Sequence, residues 1–143
     1  MSSGHTDIVR LILQTAERSN ADTIIVNHED SSQEAPVHVA SRIGSLDILE
    51  LLVEHGANLG LVDGRGRTCL HCSAQSGQDE CLLFILDNLA DDYLLEVRCY
   101  DGYTPLHVAI RSNKIECVKV LLQAGADVTS EVANGSKVEN QYL

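Results

Sequence analysis

The sequence has no tryptophan, one phenylalanine and four tyrosines, so aromatic rings make up only 3% of it. A core without such fillers must be built from Leu, Ile, Val and Ala, which favours thin helical layers over one thick interior. Basic residues are also scarce. Ten Lys and Arg stand against 21 Asp and Glu, for a net charge of −11, and a nucleic-acid backbone or an anionic bilayer would repel such a chain at long range. No segment approaches the roughly 20 apolar residues that span a bilayer, so membrane insertion is not expected. The N-terminal MSSGHTDIVR lacks the basic stretch and apolar run of a secretory signal. Five cysteines are an odd number, scattered without the density of a disulfide-stapled secreted fold. The expected setting is therefore a reducing, intracellular one: the cytoplasm, with the nucleus as the alternative. A length of 143 residues accommodates one compact domain or a few stacked repeats, and hardly two independent cores.

What the chain does contain is a period. Ala35-Pro36-Val37-His38, Thr68-Cys69-Leu70-His71 and Thr104-Pro105-Leu106-His107 align at offsets of 33 and 36 residues. In the last copy Thr104 can cap a helix whose first position is Pro105, where the missing N–H costs no hydrogen bond. Leu106, Ala109 and Ile110 then share one face, Asn113 interrupts, and Ile115, Val118, Leu121 and Leu122 restart the pattern. Gly125 supplies a left-handed stop. The same order recurs earlier, with Ala40, Gly44 at the turn, then Ile48, Leu51 and Leu52, and Gly56-Ala57-Asn58 after the second helix. Each unit reads as helix, tight turn, helix, loop.

These residues resemble the ankyrin repeat, with its period of about 33 and its Thr-Pro-Leu-His-x-Ala signature. Asp101-Gly102-Tyr103-Thr104-Pro105-Leu106-His107-Val108-Ala109 and Leu121-Leu122-Gln123-Ala124-Gly125-Ala126-Asp127-Val128 carry the likeness, and residues 4–13 mirror the second helix at 44–53. The resemblance implies an all-α solenoid of stacked helix-turn-helix units with protruding loops, about three and a half repeats long. Its units would be a partial first repeat with an extended loop (4–26), then 27–62, 63–98 and 99–128, followed by a polar tail (129–143).

Departures from the pattern generate their own expectations. Gly4 and Gly44 lie 40 residues apart, seven beyond the period, so residues 15–34 should hold an elongated helix end or loop. In the middle copy Leu89-Ala90 replaces Gly-Ala, and Leu82, Ile85, Leu86, Leu89 and Tyr93 keep helical spacing, which predicts a longer second helix there. Cys69 in place of proline should weaken its helix start slightly. Val118, Val120, Leu121 and Leu122 read as interior residues, to be covered by further chain or by the tail folding back. The tail itself, rich in Ser, Asn, Gly and charge, is expected to fray.

Stacked repeats expose a long concave surface suited to a polypeptide. The family resemblance implies contacts from each loop tip and from the exposed end of each first helix. In this sequence those positions are Ser31, Ser32, Glu34, Arg42 and Ile43; Gly64, Arg65, Arg67, Gln75 and Ser76; and Tyr100, Asp101, Tyr103, Arg111 and Ser112. They include four Arg and two acids, where fifteen positions drawn at random would hold about one basic residue. Arg and Tyr tend to dominate interface energetics. The expected partner-binding set is Arg42, Arg65, Arg67, Gln75, Tyr100, Asp101, Tyr103 and Arg111, and the expected ligand an acidic or phosphorylated peptide. The competing reading is that exposed Arg at loop tips only solvates the surface.

Cys69-Leu70-His71-Cys72 offers half of a zinc site, but no second Cys-x-x-Cys follows, and buried free Cys is usually a small hydrophobe. His38, His71 and His107 recur at the repeat period; in the family such histidines tie backbones together, which both ring nitrogens can do. Gly64-Arg65-Gly66 lacks the Gly-Lys-Ser/Thr ending of a phosphate loop, and no nucleophile, base and orienting group converge. No catalytic residue, metal or cofactor is expected. The leading function is a non-catalytic protein-binding module of a scaffold, adaptor, signalling or trafficking protein. The alternatives are a regulatory or substrate-recruiting segment of a larger enzyme, a metal-dependent switch through Cys69, His71 and Cys72, or a transcription-factor binder. The last rests on Tyr100-Asp101-Gly102-Tyr103-Thr104-Pro105-Leu106-His107, which is similar to segments of inhibitor-of-NF-kappa-B ankyrin proteins. Oligomeric state is not read from the sequence.

Overall fold

The computed structural model describes residues 4–89 and 91–129, and these contain eight α-helices and no strand. The helices are α1 (Gly4–Glu17), α2 (Asp22–Val26), α3 (Pro36–Ile43), α4 (Leu46–Glu54), α5 (Cys69–Ser76), α6 (Asp79–Asp87), α7 (Pro105–Arg111) and α8 (Ile115–Gln123); a 3-10 turn spans Asp92–Glu96. Helices α3, α5 and α7 pack side by side as an inner row. Each pairs with the helix that follows it, so that α4, α6 and α8 form an outer row continued by α1.

The tight turn inside each pair is made the same way three times. Gly44 (φ 80°), Gly77 (φ 74°) and Asn113 (φ 56°) adopt the left-handed conformation that ends a helix. The next backbone N–H then reaches back five residues, from Ser45 to Ala40 O (3.1 Å), Gln78 to Ser73 O (2.9 Å) and Lys114 to Ala109 O (2.9 Å). Asn113 is one of the few non-glycine residue types that tolerate this region. With the chain reversed, Leu49, Leu52, Leu70, Leu82, Ile85, Leu106 and Leu121 bury almost completely between the rows. Each such side chain contributes about 1.5–3 kcal/mol relative to exposure.

The histidines tie the start of each inner helix to nearby backbone. His38, His71 and His107 are fully buried, and each Nδ1 accepts the backbone N–H three residues upstream, at 2.9, 3.1 and 2.9 Å. An accepting Nδ1 leaves the proton on Nε2, which donates to Leu61 O from His38 (2.9 Å) and to Tyr103 O from His71 (2.8 Å). The His71 bond crosses to the finger of the following repeat, while the His38 bond ties the start of α3 to the end of its own unit.

Two expectations from the sequence resolve differently. The surplus in residues 15–34 becomes both a longer helix, α1 running to Glu17, and the short extra helix α2. The middle repeat's second helix is not long: α6 has nine residues, like α4 and α8. Asn88 ends it by turning its side-chain amide back onto Phe84 O (2.8 Å). The apolar surplus goes instead into the 3-10 turn, where Leu94 and Leu95 are buried while Tyr93 stands 64% exposed. At the last repeat Val118 and Leu121 are buried and Leu122 is exposed; the fraying tail and its folding back concern residues 130–143, outside those described.

Candidate functional site

Ahead of each inner helix the chain projects a five-residue finger, its ends joined by a backbone bond: Asp30 N–H to Glu34 O (3.1 Å), Asp63 N–H to Arg67 O (3.0 Å) and Cys99 N–H to Tyr103 O (2.9 Å). The fingers are laced together, Gly64 N–H donating to Ser32 O and Tyr100 N–H to Arg65 O, both at 3.0 Å. Gly66, at φ 77°, lets the Tyr100 ring lie on its backbone; a Cβ there would come within 2.5 Å of the ring.

Six of the eight residues expected to bind a partner line one recess of about 190 Å³ between the second and third fingers: Arg65, Arg67, Gln75, Asp101, Tyr103 and Arg111. Cys99 and Val108 complete its floor, and Ser112 its edge. Tyr100 lies outside it, 74% exposed on the finger tip, and Arg42 belongs to the neighbouring repeat.

The four arginines divide into two kinds. Arg42 donates to Glu34 Oε1 at 2.9 Å, and Arg67 is tied from both sides: Nε and Nη2 each lie 3.0 Å from Asp63 Oδ2, and Nη1 donates to Gln75 Oε1 at 2.7 Å. The other oxygen of Asp63 accepts the backbone N–H groups of Arg65 (2.9 Å) and Arg67 (3.0 Å). Burial alone would raise the Asp63 carboxyl; those two N–H groups and the Arg67 guanidinium outweigh it and hold the carboxyl below its usual range. Arg65 is exposed and enters no ion pair among the described residues. Arg111 lies with its guanidinium carbon 4.6 Å over the Tyr103 ring, and that ring meets the His107 ring edge-on at 6.2 Å. A cation held on an aromatic face keeps its N–H edges free to receive an anion.

Sequence reasoning missed Asp63, the residue that shapes the finger. A signal existed, because Asp30 stands 33 residues earlier and caps its own finger alike, accepting from Ser32 N–H (2.8 Å) and Glu34 N–H (2.9 Å). It also missed His55, whose Nδ1 lies 3.0 Å from Asp22 Oδ2 and 3.3 Å from Glu17 Oε1. These three ligand atoms sit within 4.8 Å of one another. The hydrogen bond from His55 lowers the Asp22 carboxyl below its usual range and clamps α2 against the end of α4. Asn27 adds to the clamp, donating to Gly56 O (3.2 Å) and accepting from Asn58 N–H (2.7 Å).

The Cys-x-x-Cys pair has the geometry of packing. Burial pushes the Cys69 and Cys72 thiols up to about 12, so both remain protonated, and Cys69 Sγ points at Leu59 O (3.4 Å). Both ring nitrogens of the intervening His71 are occupied by Thr68 and Tyr103.

A family model described as ankyrin repeats (3 copies) matches residues 56–132, and a single ankyrin repeat model matches 33–64. This chain belongs to the ankyrin-repeat family. The family is one of protein–protein interaction modules, and nothing in the finger recess assembles catalytic chemistry. The chain is 32% identical over 127 residues to the nuclear factor NF-kappa-B p105 subunit of Rattus norvegicus, covering 89% of this chain and 13% of that protein. It is 37% identical over 118 residues to the human B-cell lymphoma 3 protein (78% and 26%) and 33% identical over 114 residues to the NF-kappa-B inhibitor cactus of Drosophila yakuba (79% and 22%). It therefore spans roughly an eighth to a quarter of the length of these relatives. No helix of the described residues is long and apolar enough to cross a membrane.

Proposed function

We propose that this ankyrin stack binds an acidic or phosphorylated segment of another protein in the recess between the second and third fingers. The observation that carries the reading is the division of the arginines. Arg65 and Arg111 line the recess without a carboxylate partner among the described residues, whereas Arg42 and Arg67 are paired within the fold. Tyr103 and Val108 give the ligand an apolar floor, and Gln75 and Asp101 supply polar rims that select among anionic peptides. In this reading Arg42, Arg67 and Gln75 shape the surface, while Arg65, Tyr100, Tyr103 and Arg111 contact the partner. A peptide library that varies net charge and phosphorylation, read by binding to the full chain, tests it. Acidic members should be enriched, and the double variant Arg65→Glu, Arg111→Glu should lose at least about tenfold in affinity, each charge-assisted contact contributing on the order of 1.5–3 kcal/mol. Equal binding of basic and acidic members, or affinity unmoved by the reversal, would sink it.

A second reading concerns the partner's identity. Two of the relatives carry NF-kappa-B in their names, one of them as its inhibitor, and this favours a transcription factor of that kind as the source of the bound segment. Fluorescence-monitored titration of the chain with purified NF-kappa-B separates this from a generic acidic ligand: no saturable binding would overturn it.

A further inference from the structure

The outer helices α4, α6 and α8 end on three different residues, His55, Asn88 and Ala124. Asn88 turns back onto its own helix, whereas His55 meets two carboxylates that the surplus residues of the first unit supply. The turn that delivers them repeats the one inside each helix pair. Asn20 takes the left-handed conformation (φ 58°), and Ala21 N–H reaches back five residues to Ala16 O (3.0 Å). Asp22, opening α2, is thereby set beside Glu17, the last residue of α1. The imidazole is held: His55 N–H donates to Leu51 O (3.1 Å), and its side chain is 7% exposed. Glu17, 56% exposed, is the arm with room to swing. The distances carry the argument further. Nδ1 lies 3.0 Å from Asp22 Oδ2 and 3.3 Å from Glu17 Oε1. Around a tetrahedral ion with ligand bonds of about 2.0–2.1 Å, neighbouring ligand atoms stand about 3.3 Å apart. A neutral imidazole has a single Nδ1–H to offer, and both carboxylates lie within reach of it. Neither acid pairs with a Lys or Arg among the described residues. A divalent cation satisfies both charges and the ring nitrogen together.

We infer that Glu17, Asp22 and His55 form a Zn2+ site, completed by water, that locks α2 between the ends of α1 and α4. One imidazole nitrogen with two carboxylate oxygens suits this borderline ion; Mg2+ demands an octahedron of oxygens. On binding, Nδ1 exchanges its hydrogen bond for the metal and the ring proton resides on Nε2. The site is distinct from Cys69, His71 and Cys72, where the thiols stay protonated and both ring nitrogens are occupied. It depends on α2, the element that the surplus residues add to the repeat frame, and shares no residue with the finger recess.

The test titrates the full chain, stripped of metal by a chelator, with ZnCl2 against a chromophoric competitor. One Zn2+ per chain should bind, and an excess of roughly a hundredfold over Kd should raise Tm by about 5 °C or more. X-ray absorption at the zinc edge should show nitrogen and oxygen neighbours at about 2.0–2.1 Å and no sulfur at about 2.3 Å. His55→Asn, which installs the residue that ends α6, should weaken binding at least tenfold. Glu17→Gln should do the same, and because that side chain is exposed the variant keeps the fold. Absence of Zn2+ uptake, a sulfur-containing shell, or uptake that neither variant weakens would overturn the inference. So would an equal rise in Tm with MgCl2, since the cluster would then respond only to ionic charge.

Discussion

The second and third fingers close with equivalent backbone bonds and lead into equivalent inner helices, α5 and α7, yet they are held by different means. In the second, the buried carboxylate of Asp63 gathers two backbone N–H groups and the Arg67 guanidinium. In the third, Cys99 occupies that position, and Arg98 Nη1 instead reaches Gly102 O at 2.6 Å. A finger organised on a carboxylate spends an arginine on its own shape. The third finger spends none of its recess-facing cation: Arg111 is held by a ring, which leaves the charge unneutralised. Counting basic residues along a concave face therefore overstates what a partner feels, because the paired ones are part of the scaffold.

The sharpest way to break this comparison is to remove Asp63. Asp63→Ala leaves two finger N–H groups and a guanidinium without their acceptor and should cost about 3 kcal/mol in urea unfolding. Cys99→Ala, a small loss from a buried thiol, should cost about 1 kcal/mol. Equal costs would mean that the carboxylate does not organise its finger. A comparable effect comes from pH. Burial is the largest cause of the depressed value of His71, about 4 against an ordinary 6.5. Between those values the unfolded chain takes up a proton that the folded chain refuses. Stability should thus be full above pH 6.5 and fall by up to ~3 kcal/mol as pH drops towards 4. Asp63 works in another window, since a lowered carboxyl loses its contribution only below the ordinary carboxylate range. Urea midpoints between pH 7 and 4.5, for the natural chain and for His71→Gln, check this: the slope should flatten in the variant.

The repeat frame was legible because each unit is punctuated by residues with one physical use. Pro36 and Pro105 open helices, Gly44 and Gly77 close them, and His38, His71 and His107 recur where each ring accepts the backbone N–H three residues upstream. The recess was legible as a set of positions, six of which do converge. Pairing was not, because it depends on which acid each arginine meets once the finger folds. Asp63 sits four residues before Arg67, as spacing could suggest, but Gln75 arrives from the helix and Glu34 reaches Arg42 across eight residues. The length of α6 was misread for a related reason. Helical periodicity cannot distinguish a continued helix from a 3-10 turn that buries two adjacent leucines, Leu94 and Leu95, after a break.

A smaller effect tests how the two fingers lean on each other. Gly66→Ala must hold an L side chain at φ 77° and push the Tyr100 ring off the backbone, at about 1–2 kcal/mol. In the double variant with Tyr100→Ala the steric part should disappear and only the conformational cost remain. The smallest effects separate the arginines themselves. Arg67→Ala should cost about 1–2 kcal/mol through the loss of a half-buried, multiply bonded guanidinium. Arg111→Ala should cost about 0.5–1 kcal/mol, the size of an exposed cation–ring contact, and Arg65→Ala less than about 0.5 kcal/mol. Thermal and urea unfolding of the three variants give that order. If Arg65 proved as costly as Arg67, its side chain would also be a structural part of the second finger, and Arg111 would be left as the recess cation available to a partner.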